Sequence, residues 1–243
     1  MYFTALAVAP LPDVETARQN FDLQGLSDED VAKVLFHRRK QRVGSEQLDW
    51  DQLTLGAVSM VRFGSEQEVH IESFSVAEFP ELMLLDAVFQ MMQTAPPLVT
   101  WGGRRQLMPL LQFRCLKHRR AIVDYWARFE DRRDPHLDLQ LEWLPQIDRF
   151  PSLDDMARRL GLPGMLGLHE AQLWEQWLAG DHEALLRYGE TAAINTGLLA
   201  LEIFHLQGRY ALGEVDGWRQ GLRDVLRQTP RHATLLRAWE SQP

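Results

Sequence analysis

The stretch LTLGAVSMVRFGSEQEVHIESFSV, residues 53–76, contains two strand-like runs separated by the turn-forming tetrapeptide GSEQ at 64–67. This pattern predicts a β-hairpin with strands near 53–63 and 68–76. An earlier run, YFTALAV, predicts a buried strand near 3–9 that the following PLPD terminates. Together the three runs predict the first strands of a sheet.

Helical patterns surround these strands. Residues 27–42 predict a helix that has Ser27 as its N-cap and acidic residues in its first turn. Helical apolar spacing then occurs on either side of a predicted short strand near 97–101, and it dominates the chain after residue 150. This order predicts an α/β fold, a mixed sheet flanked by helices with a mainly helical C-terminal half.

Composition limits the partners and the location of the protein. The chain has 243 residues and a formal net charge of −8, which opposes generic nucleic-acid binding because phosphate contacts need locally positive surface. No apolar run approaches the roughly 18–20 residues that span a bilayer, and the N-terminal run indicates a core strand rather than a signal peptide. We therefore expect a cytoplasmic protein with no membrane partner. The single cysteine, Cys115, excludes an intramolecular disulfide and a multi-cysteine zinc site.

Basic residues are nevertheless concentrated in two segments. The segment 33–42 includes Arg38 and Arg39, and the segment 114–120 includes Arg114. Solvated helix faces are the ordinary explanation of such clusters, and contact with nucleic acid is the alternative.

Four segments carry a resemblance to a known family. They are PPLVTWGGRRQLMPLL (96–111), PHLDL (135–139), PSLDDMARRLGLPG (151–164) and YGETAAINT (188–196). The order and the amino-acid sequences of these segments resemble those of the predicted 3′–5′ exonucleases related to the proofreading domain of family B DNA polymerases. These exonucleases belong to the DEDD group and have a ribonuclease H-like fold. The resemblance extends over roughly residues 3–209. It implies a ribonuclease H-like exonuclease domain at 1–210, and we expect residues 211–243 to form a helical extension packed on the same domain.

The resemblance also locates the positions of the family's catalytic acids. In the family the first strand ends in an Asp-x-Glu pair, and this chain has Ala7 and Ala9 at those positions. The second motif of the family has an acid just ahead of a proline, and Leu107 corresponds to this acid. The third motif is Tyr-x-Glu-Thr-Asp, and Ala192 corresponds to its aspartate. The tyrosine of that motif is retained as Tyr188. All four acid positions are therefore apolar in this sequence.

The missing acids are the ligands on which the family's chemistry depends. Two-metal hydrolysis holds two Mg²⁺ or Mn²⁺ ions about 3.5–4 Å apart, and magnesium takes oxygen ligands, mainly from carboxylates and substrate phosphate. Alanine and leucine side chains offer no oxygen. We therefore expect no metal, no cofactor and no catalytic activity. Mg²⁺ or Mn²⁺ would be needed only if the protein used an unconventional metal site.

Other polar residues are weak substitutes for the lost acids. Asp13 lies past two prolines beyond the first strand, and Glu190 is about 200° around the helix from Ala192. His136 and Asp138 in PHLDL are better placed, but a structural hydrogen-bonded pair near the sheet is favoured over a metal site for them.

Three functions are open from the sequence. The first is a nucleic-acid-binding module that keeps the exonuclease groove, because arginine and aromatic side chains together suit single-stranded nucleic acid. Its candidate contacts are Trp101, Arg104, Arg105, Tyr188, Asn195, Arg38 and Arg39. The second is a protein-interaction or scaffold subunit with a filled cleft, in which Trp101 and Tyr188 belong to the core. The third is an active 3′–5′ exonuclease on single-stranded nucleic acid with an unconventional metal site. The sequence favours the first two, so the expected partner is a protein or a single-stranded nucleic acid.

Overall fold

The computed structural model of the chain describes residues 2–94, 97–130, 136–143 and 150–241. Among these residues, five strands form one sheet: β1 (Phe3–Pro12), β2 (Leu53–Phe63), β3 (Val69–Ser75), β4 (Leu98–Thr100) and β5 (His136–Asp138). Their order in space is β3-β2-β1-β4-β5. The β1–β2 and β2–β3 pairs are antiparallel, whereas the β1–β4 and β4–β5 pairs are parallel. This mixed sheet with flanking helices confirms the predicted ribonuclease H-like α/β fold.

Eleven α-helices occur in the described part of the chain. They are α1 (Val14–Asn20), α2 (Asp28–Val43), α3 (Glu81–Thr94), α4 (Leu107–Lys117), α5 (Val123–Glu130), α6 (Leu139–Trp143), α7 (Leu153–Arg159), α8 (Leu173–Leu178), α9 (Glu183–Leu206), α10 (Leu212–Gln228) and α11 (Ala233–Glu240). The helix predicted at 27–42 is confirmed as α2, and the Ser27 side chain accepts a hydrogen bond from the Asp30 backbone N–H. The mainly helical second half is also confirmed. Within the described ranges, no helix combines the length and the hydrophobicity needed to cross a membrane.

The first strand is longer than the sequence predicts. It continues through Pro10 and Pro12, with a register shift against β2 between Ala9 and Pro10. Proline cannot donate a ladder hydrogen bond, so it is confined to strand edges and bulges. On its other side β1 pairs with β4 only at Thr4 and Ala5. The two prolines therefore lie where β1 is an edge, and they do not end it.

The core consists of two layers, one on each face of the sheet. In β1, Phe3, Ala5 and Ala7 contribute to a layer that includes α9, α10 and α11. Leu6 contributes to the opposite layer, which includes α3 and α4. Successive strand residues point to opposite faces. The alternation explains why nearly every residue of β1 is apolar.

Helix α9 lies unusually close to the sheet. A methyl group at Gly189 would lie 2.6 Å from the Ser59 hydroxyl, and one at Gly197 would lie 2.3 Å from the Phe63 ring. Both distances are too short for non-bonded contact, so glycine is what allows the backbone to approach. Ala193, between the two glycines, is fully buried. Small residues in α9 thus set the separation between this helix and the sheet.

The C-terminal extension shares the core of the preceding domain. Trp218 and Leu222 on α10 and Trp239 on α11 are buried in the same layer as α9. The Trp218 indole N–H donates a hydrogen bond of 2.7 Å to the Gly64 carbonyl in the turn between β2 and β3. The apolar stripe on α10 is therefore a packing surface, and this contact fixes the helix to the hairpin.

Arg114 joins β1, α3 and α4 through a buried ion-pair network. Its guanidinium donates hydrogen bonds of 2.7 and 2.6 Å to Glu81 and a further one to Asp13. Lys117 donates to Asp13 at 2.7 Å, and the His118 ring lies 2.7 Å from Glu81. The Arg114 and Asp13 side chains are only 6% and 5% exposed. A solvated helix face is therefore the wrong explanation for Arg114, which belongs to the core.

The network holds both carboxyls in their ionised form. Burial by itself would raise the pKa of Asp13, but hydrogen bonds from Lys117 and Thr16 and the charge of Arg114 outweigh it and lower the pKa. The pKa of Glu81 is likewise lowered, against the effect of burial, by its hydrogen bonds from Arg114 and His118. Carboxyls with lowered pKa values stabilise the fold above their unfolded pKa, and this contribution is lost as the pH falls through the folded value.

Replacement of Arg114 by methionine should strongly destabilise the protein. Removing one partner from a buried ion pair leaves uncompensated charge, which costs about 3–5 kcal/mol. In Arg114→Met the pKa values of Asp13 and Glu81 should rise, so the folded variant takes up protons as the pH falls and regains stability. Urea unfolding should therefore show a deficit that is largest at neutral pH and shrinks toward about pH 5.

A matched control is Arg120→Met, which removes an exposed ion pair to Asp86. Exposed pairs contribute about 0–1 kcal/mol, so this change should have little effect at either pH. Equal deficits for the two variants would contradict a central role for Arg114.

Candidate functional site

A cavity of about 220 Å³ lies where β1, α4 and α9 meet. Ala7 from β1, Leu107 at the start of α4, and Ala192 and Tyr188 from α9 all line it. Ala9 is completely buried in the adjoining hydrophobic cluster, against which Tyr188 also packs. The structure thus brings three of the four predicted acid positions and Tyr188 to one cavity, and the fourth position lies in the adjoining cluster.

The local geometry explains why these residues meet. Ala7 and Ala9 are two residues apart on a strand, so both side chains point toward α9. Tyr188 and Ala192 are one helical turn apart, so they lie on the same face of α9. Leu107 is carried to the cavity by the connection between β4 and α4, and β4 is the parallel neighbour of β1.

Asp138 fixes the connection that follows β4. Its carboxylate accepts hydrogen bonds from three backbone N–H groups, those of Gly102 at 2.9 Å, Arg104 at 3.0 Å and Gln140 at 3.1 Å. The side chain is buried, with 1% of its surface exposed. With its oxygens engaged by the backbone, Asp138 supports the site and is not presented to the cavity as a metal ligand.

His136 has a similar supporting role on the same strand. One of its ring nitrogens lies 2.6 Å from the Thr100 hydroxyl at the end of β4, and the side chain is buried. The structure therefore supports the structural interpretation of the PHLDL segment over a metal site.

Two glycines shape the connection beside the cavity. Gly102 has a φ of +70°, a left-handed conformation that glycine adopts readily and asparagine tolerates. A methyl group at Gly103 would lie 2.2 Å from the Thr100 hydroxyl oxygen. A methyl group at Gly102 would lie 3.1 Å from the Gln140 side chain, so both positions favour glycine.

Glu170 is the cavity residue that the sequence analysis missed. It lies in a short 3₁₀ turn at Glu170–Gln172 and lines the cavity together with Tyr188. Burial raises the pKa of Glu170. Burial, and then the nearby Glu170 charge, raises the pKa of the Tyr188 phenol well above its usual value, so the hydroxyl is protonated at neutral pH. In the sequence Glu170 is merely an acid in the first turn of a helical segment, and no spacing links it to Tyr188.

The two other acids considered from the sequence lie elsewhere. Asp13 follows β1 and is engaged by Arg114. Glu190 is 1% exposed, and its carboxylate lies 2.7 Å from Arg231 and 3.4 Å from His232, near the start of α11. Burial raises the pKa of Glu190, and burial together with the charge of Arg231 lowers the pKa of His232 to about 4. Neither acid lines the cavity, in agreement with the prediction that Asp13 and Glu190 do not replace the missing acids.

The arginines beside the cavity are exposed. Arg104 and Arg105 both lie at the surface, and the Arg104 guanidinium donates a 3.3 Å hydrogen bond to the His136 carbonyl. Trp101 is half-buried at the cavity, with its ring in edge contact with Phe150. Its indole N–H is buried without a hydrogen-bond partner among the described residues. Of the predicted nucleic-acid contacts, Trp101 and Tyr188 line the cavity. Arg104 and Arg105 follow the lining residues Gly102 and Gly103 in the chain.

The other predicted nucleic-acid contacts are committed to the fold. The Asn195 side chain is fully buried, accepts a hydrogen bond from the Gly164 N–H at 2.9 Å and donates to the carbonyls of Gly164 and Thr191 at 2.9 and 2.8 Å. The prediction that Asn195 contacts nucleic acid is therefore wrong, because all its polar atoms hold the 161–168 loop on α9.

Arg38 and Arg39 lie on α2 and do not line the cavity. Arg39 bonds to the Gln47 carbonyl at 2.9 Å and to Asp49 at 2.7 Å, and Arg38 lies 4.2 Å over the Phe21 ring. Both arginines thus hold α2 to neighbouring segments, and the structure does not bring them together with Trp101 and Tyr188.

The residues of the cavity do not fit a two-metal centre. Among the described residues that line it, Glu170 is the sole carboxylate. Across the described ranges, no three His, Cys, Asp or Glu side chains are grouped so that they could hold a metal ion. A centre that binds two Mg²⁺ ions relies on several carboxylate oxygens, and Ala7, Leu107 and Ala192 supply none.

Comparison with known families identifies the family of the chain. Residues 48–242 match the model of a family described as predicted 3′–5′ exonucleases related to the exonuclease domain of PolB. The match covers well over half of the chain, and the chain therefore belongs to this family. The matched range contains Leu107, Tyr188 and Ala192, whereas Ala7 and Ala9 precede it. Comparison with curated proteins gives no match.

Replacement of Asn195 by alanine tests its structural role. The change leaves the Gly164 N–H and carbonyl buried without partners, which costs about 1–3 kcal/mol in the free energy of unfolding. Hydrogen exchange should also become faster in the 161–168 loop. Asn20→Ala, at the exposed end of α1, is the control and should change stability by less than about 0.5 kcal/mol. A fully stable Asn195→Ala variant would show that the residue is free to serve a ligand.

Proposed function

We propose that this member of the exonuclease-like family has no nuclease activity and acts as a non-catalytic interaction or scaffold module. The observation that carries the proposal is the set of apolar side chains at the cavity where the family has its acids. Ala7, Leu107 and Ala192 converge there with Tyr188, and Ala9 is buried beside them. The site keeps the tyrosine, and among the described residues that line it Glu170 is the sole carboxylate, which is too few for a two-metal centre.

Electrostatics favour a stable fold in this neutral form. Four carboxylates with two divalent cations sum to zero charge, and so do four apolar side chains without cations. Carboxylates brought together without metal would repel one another and lose hydration. The alanines and Leu107 avoid both costs, so the cavity needs no bound ion to be stable. Tyr188 has no metal-bound water to orient in such a cavity.

A protein partner suits the surface better than a nucleic acid. The net charge of −8 repels phosphate, and Asn195, Arg38 and Arg39 are committed to internal contacts. An interaction role needs no metal, which agrees with the residues of the cavity. We also propose a cytoplasmic location.

Binding of single-stranded nucleic acid is the second candidate function. It is favoured by Arg104 and Arg105, which are exposed and directly follow the cavity residues Trp101–Gly103 in the chain. The two arginines would act against the overall charge, so binding should be weak at physiological salt and should fall steeply as salt rises. An active exonuclease with an unconventional metal site is the remaining alternative, and Glu170 is the acid it would use.

A nuclease assay on the native chain separates inactivity from the active alternative. Labelled single-stranded DNA and RNA should stay intact with Mg²⁺ or with Mn²⁺, because the cavity has one carboxylate instead of four. Calorimetry should likewise show no Mn²⁺ site of micromolar affinity. Tyr188→Phe and Glu170→Gln are the matched variants, since both side chains line the cavity.

Metal-dependent degradation that is abolished by Tyr188→Phe or by Glu170→Gln would establish an active enzyme and contradict the proposal. Degradation that is equal in all three proteins would come from a contaminating nuclease. A different outcome is that the protein binds the oligonucleotides at low salt without degrading them. If an Arg104→Gln/Arg105→Gln variant loses this binding, the second candidate function is favoured.

A further inference from the structure

A second and larger concavity adjoins the cavity of the former active centre. It has a volume of about 530 Å³ and lies between the end of β1, helix α2 and helix α8. Its apolar wall is formed by Pro10, Phe36, Leu48, Leu53, Trp174 and Leu178. Its volume is within the range of roughly 300–1,000 Å³ that is usual for ligand pockets. We refer to this concavity, lined by these residues and by Glu170, as the Glu170 groove.

The charged residues of the Glu170 groove are mostly acidic. Glu29, Glu46, Glu170 and Glu175 line it, and Lys33 is the one basic residue among its described lining. Two of these acids are neutralised locally, since Glu29 pairs with Lys33 at 2.6 Å and Glu46 pairs with Lys40, outside the groove, at 2.7 Å.

Glu170 and Glu175 are different from the other two acids. Neither side chain has a hydrogen-bond or ion-pair partner among the described residues. Glu175 is exposed at the rim, whereas Glu170 is partly buried where the groove meets the cavity of Tyr188. A partly buried carboxylate without a partner has lost some of its hydration, so a cationic group that reaches it gains a favourable charge pair. The apolar wall and these two acids together define the chemistry of a ligand.

We propose that the Glu170 groove binds a basic, apolar segment of a partner protein. In this arrangement an apolar side chain occupies the wall between Phe36 and Trp174, and an arginine or lysine reaches Glu170, with Glu175 attracting a second basic residue at the rim. Buried anchors of this kind, surrounded by charge pairs, supply most of the binding energy of protein interfaces. The inference rests on the proposed interaction function and specifies the class of partner.

The charges also decide between two classes of macromolecule. Phosphate groups of a nucleic acid would meet Glu170 and Glu175 without a free cation to compensate them, because Lys33 is already paired. Like-charge contacts of this kind suppress binding. A basic peptide instead gains two charge pairs and covers the apolar wall, so it is the occupant that the groove favours.

Binding of synthetic peptides to the full chain tests the proposal. Two short fluorescent peptides would share the same Leu and Trp residues, and one would carry Arg where the other carries Glu. The Arg peptide should bind at least about tenfold more tightly than the Glu peptide at low salt, because the Glu peptide places like charges against the groove. Fluorescence anisotropy measures both affinities.

Variants then locate the binding. Glu170→Gln/Glu175→Gln should weaken the Arg peptide by about fivefold or more and bring the two peptides closer in affinity. Glu66→Gln/Glu78→Gln changes the net charge equally at exposed positions that do not line the groove, and it should leave binding nearly unchanged. Glu175→Gln alone alters an exposed side chain, so it tests the rim contact even if a change at Glu170 disturbs the fold.

Three results would overturn the inference. These are no binding of the Arg peptide up to about 1 mM, equal binding of the two peptides, or equal weakening by the groove and control variants. Displacement of the Arg peptide by a single-stranded oligonucleotide would assign the groove to nucleic acid instead. The nuclease assay on the native chain uses no peptide, so a native protein that neither degrades the oligonucleotides nor binds the peptides would refute this inference and leave the proposed absence of catalysis standing.

Discussion

The close packing of helix α9 on the sheet is the constraint on which the rest of the molecule depends. Gly197 lets the helix backbone approach the Phe63 ring, and Gly189 lets it approach Ser59 on the same strand. This approach places Tyr188 and Ala192 at the cavity that Ala7, in the middle of β1, also lines. The same helix receives the C-terminal extension on its other sides, through Glu190 and the buried layer that contains Trp218. A change in the distance between α9 and the sheet would therefore displace both the cavity and the C-terminal extension.

The cavity combines Tyr188 with the apolar side chains of Ala7, Leu107 and Ala192, and Glu170 is the carboxylate among its described lining. Asp138 supports the connection at Gly102 beside this cavity. Two acids, Asp13 and Glu170, lie outside the positions that correspond to the family's catalytic acids. Asp13 stabilises the core with Arg114, and Glu170 is directed to the junction with the neighbouring groove. This arrangement supports the proposed interaction function on an exonuclease-like fold.

Much of the fold could be predicted because its signals are local. The hairpin at 53–76 and the helix after Ser27 depend on turn and capping residues that are adjacent in sequence. The strand β5 was missed because three residues are too few to show periodicity, and β1 was predicted too short because the two prolines fall on an edge that only the sheet defines. These errors come from long-range pairing, which a local pattern does not contain.

The site was predictable in part for the same reason. Motif order grouped Ala7, Leu107, Ala192 and Tyr188 in one site, and in the structure these four residues line one cavity. Asn195 was assigned to the surface because its contacts with Gly164 span 31 residues, and Arg114 was assigned to a basic patch because its partner Asp13 is 101 residues away. Glu170 was missed since only the folded chain brings it to Tyr188.

Restoring the four acids is the most direct test of the central claim, that a metal centre has been replaced by apolar side chains. A variant with Ala7→Asp, Ala9→Glu, Leu107→Asp and Ala192→Asp should melt below the native chain in chelator, because the four carboxylates repel one another. Mn²⁺ at about 100-fold above its Kd should raise the melting temperature of the variant by about 5–10 °C, since the ion binds only the folded state. The native chain should melt identically in chelator and in Mn²⁺. If the four-acid variant also melted identically in the two conditions, these positions would not form a metal centre and the account would be contradicted.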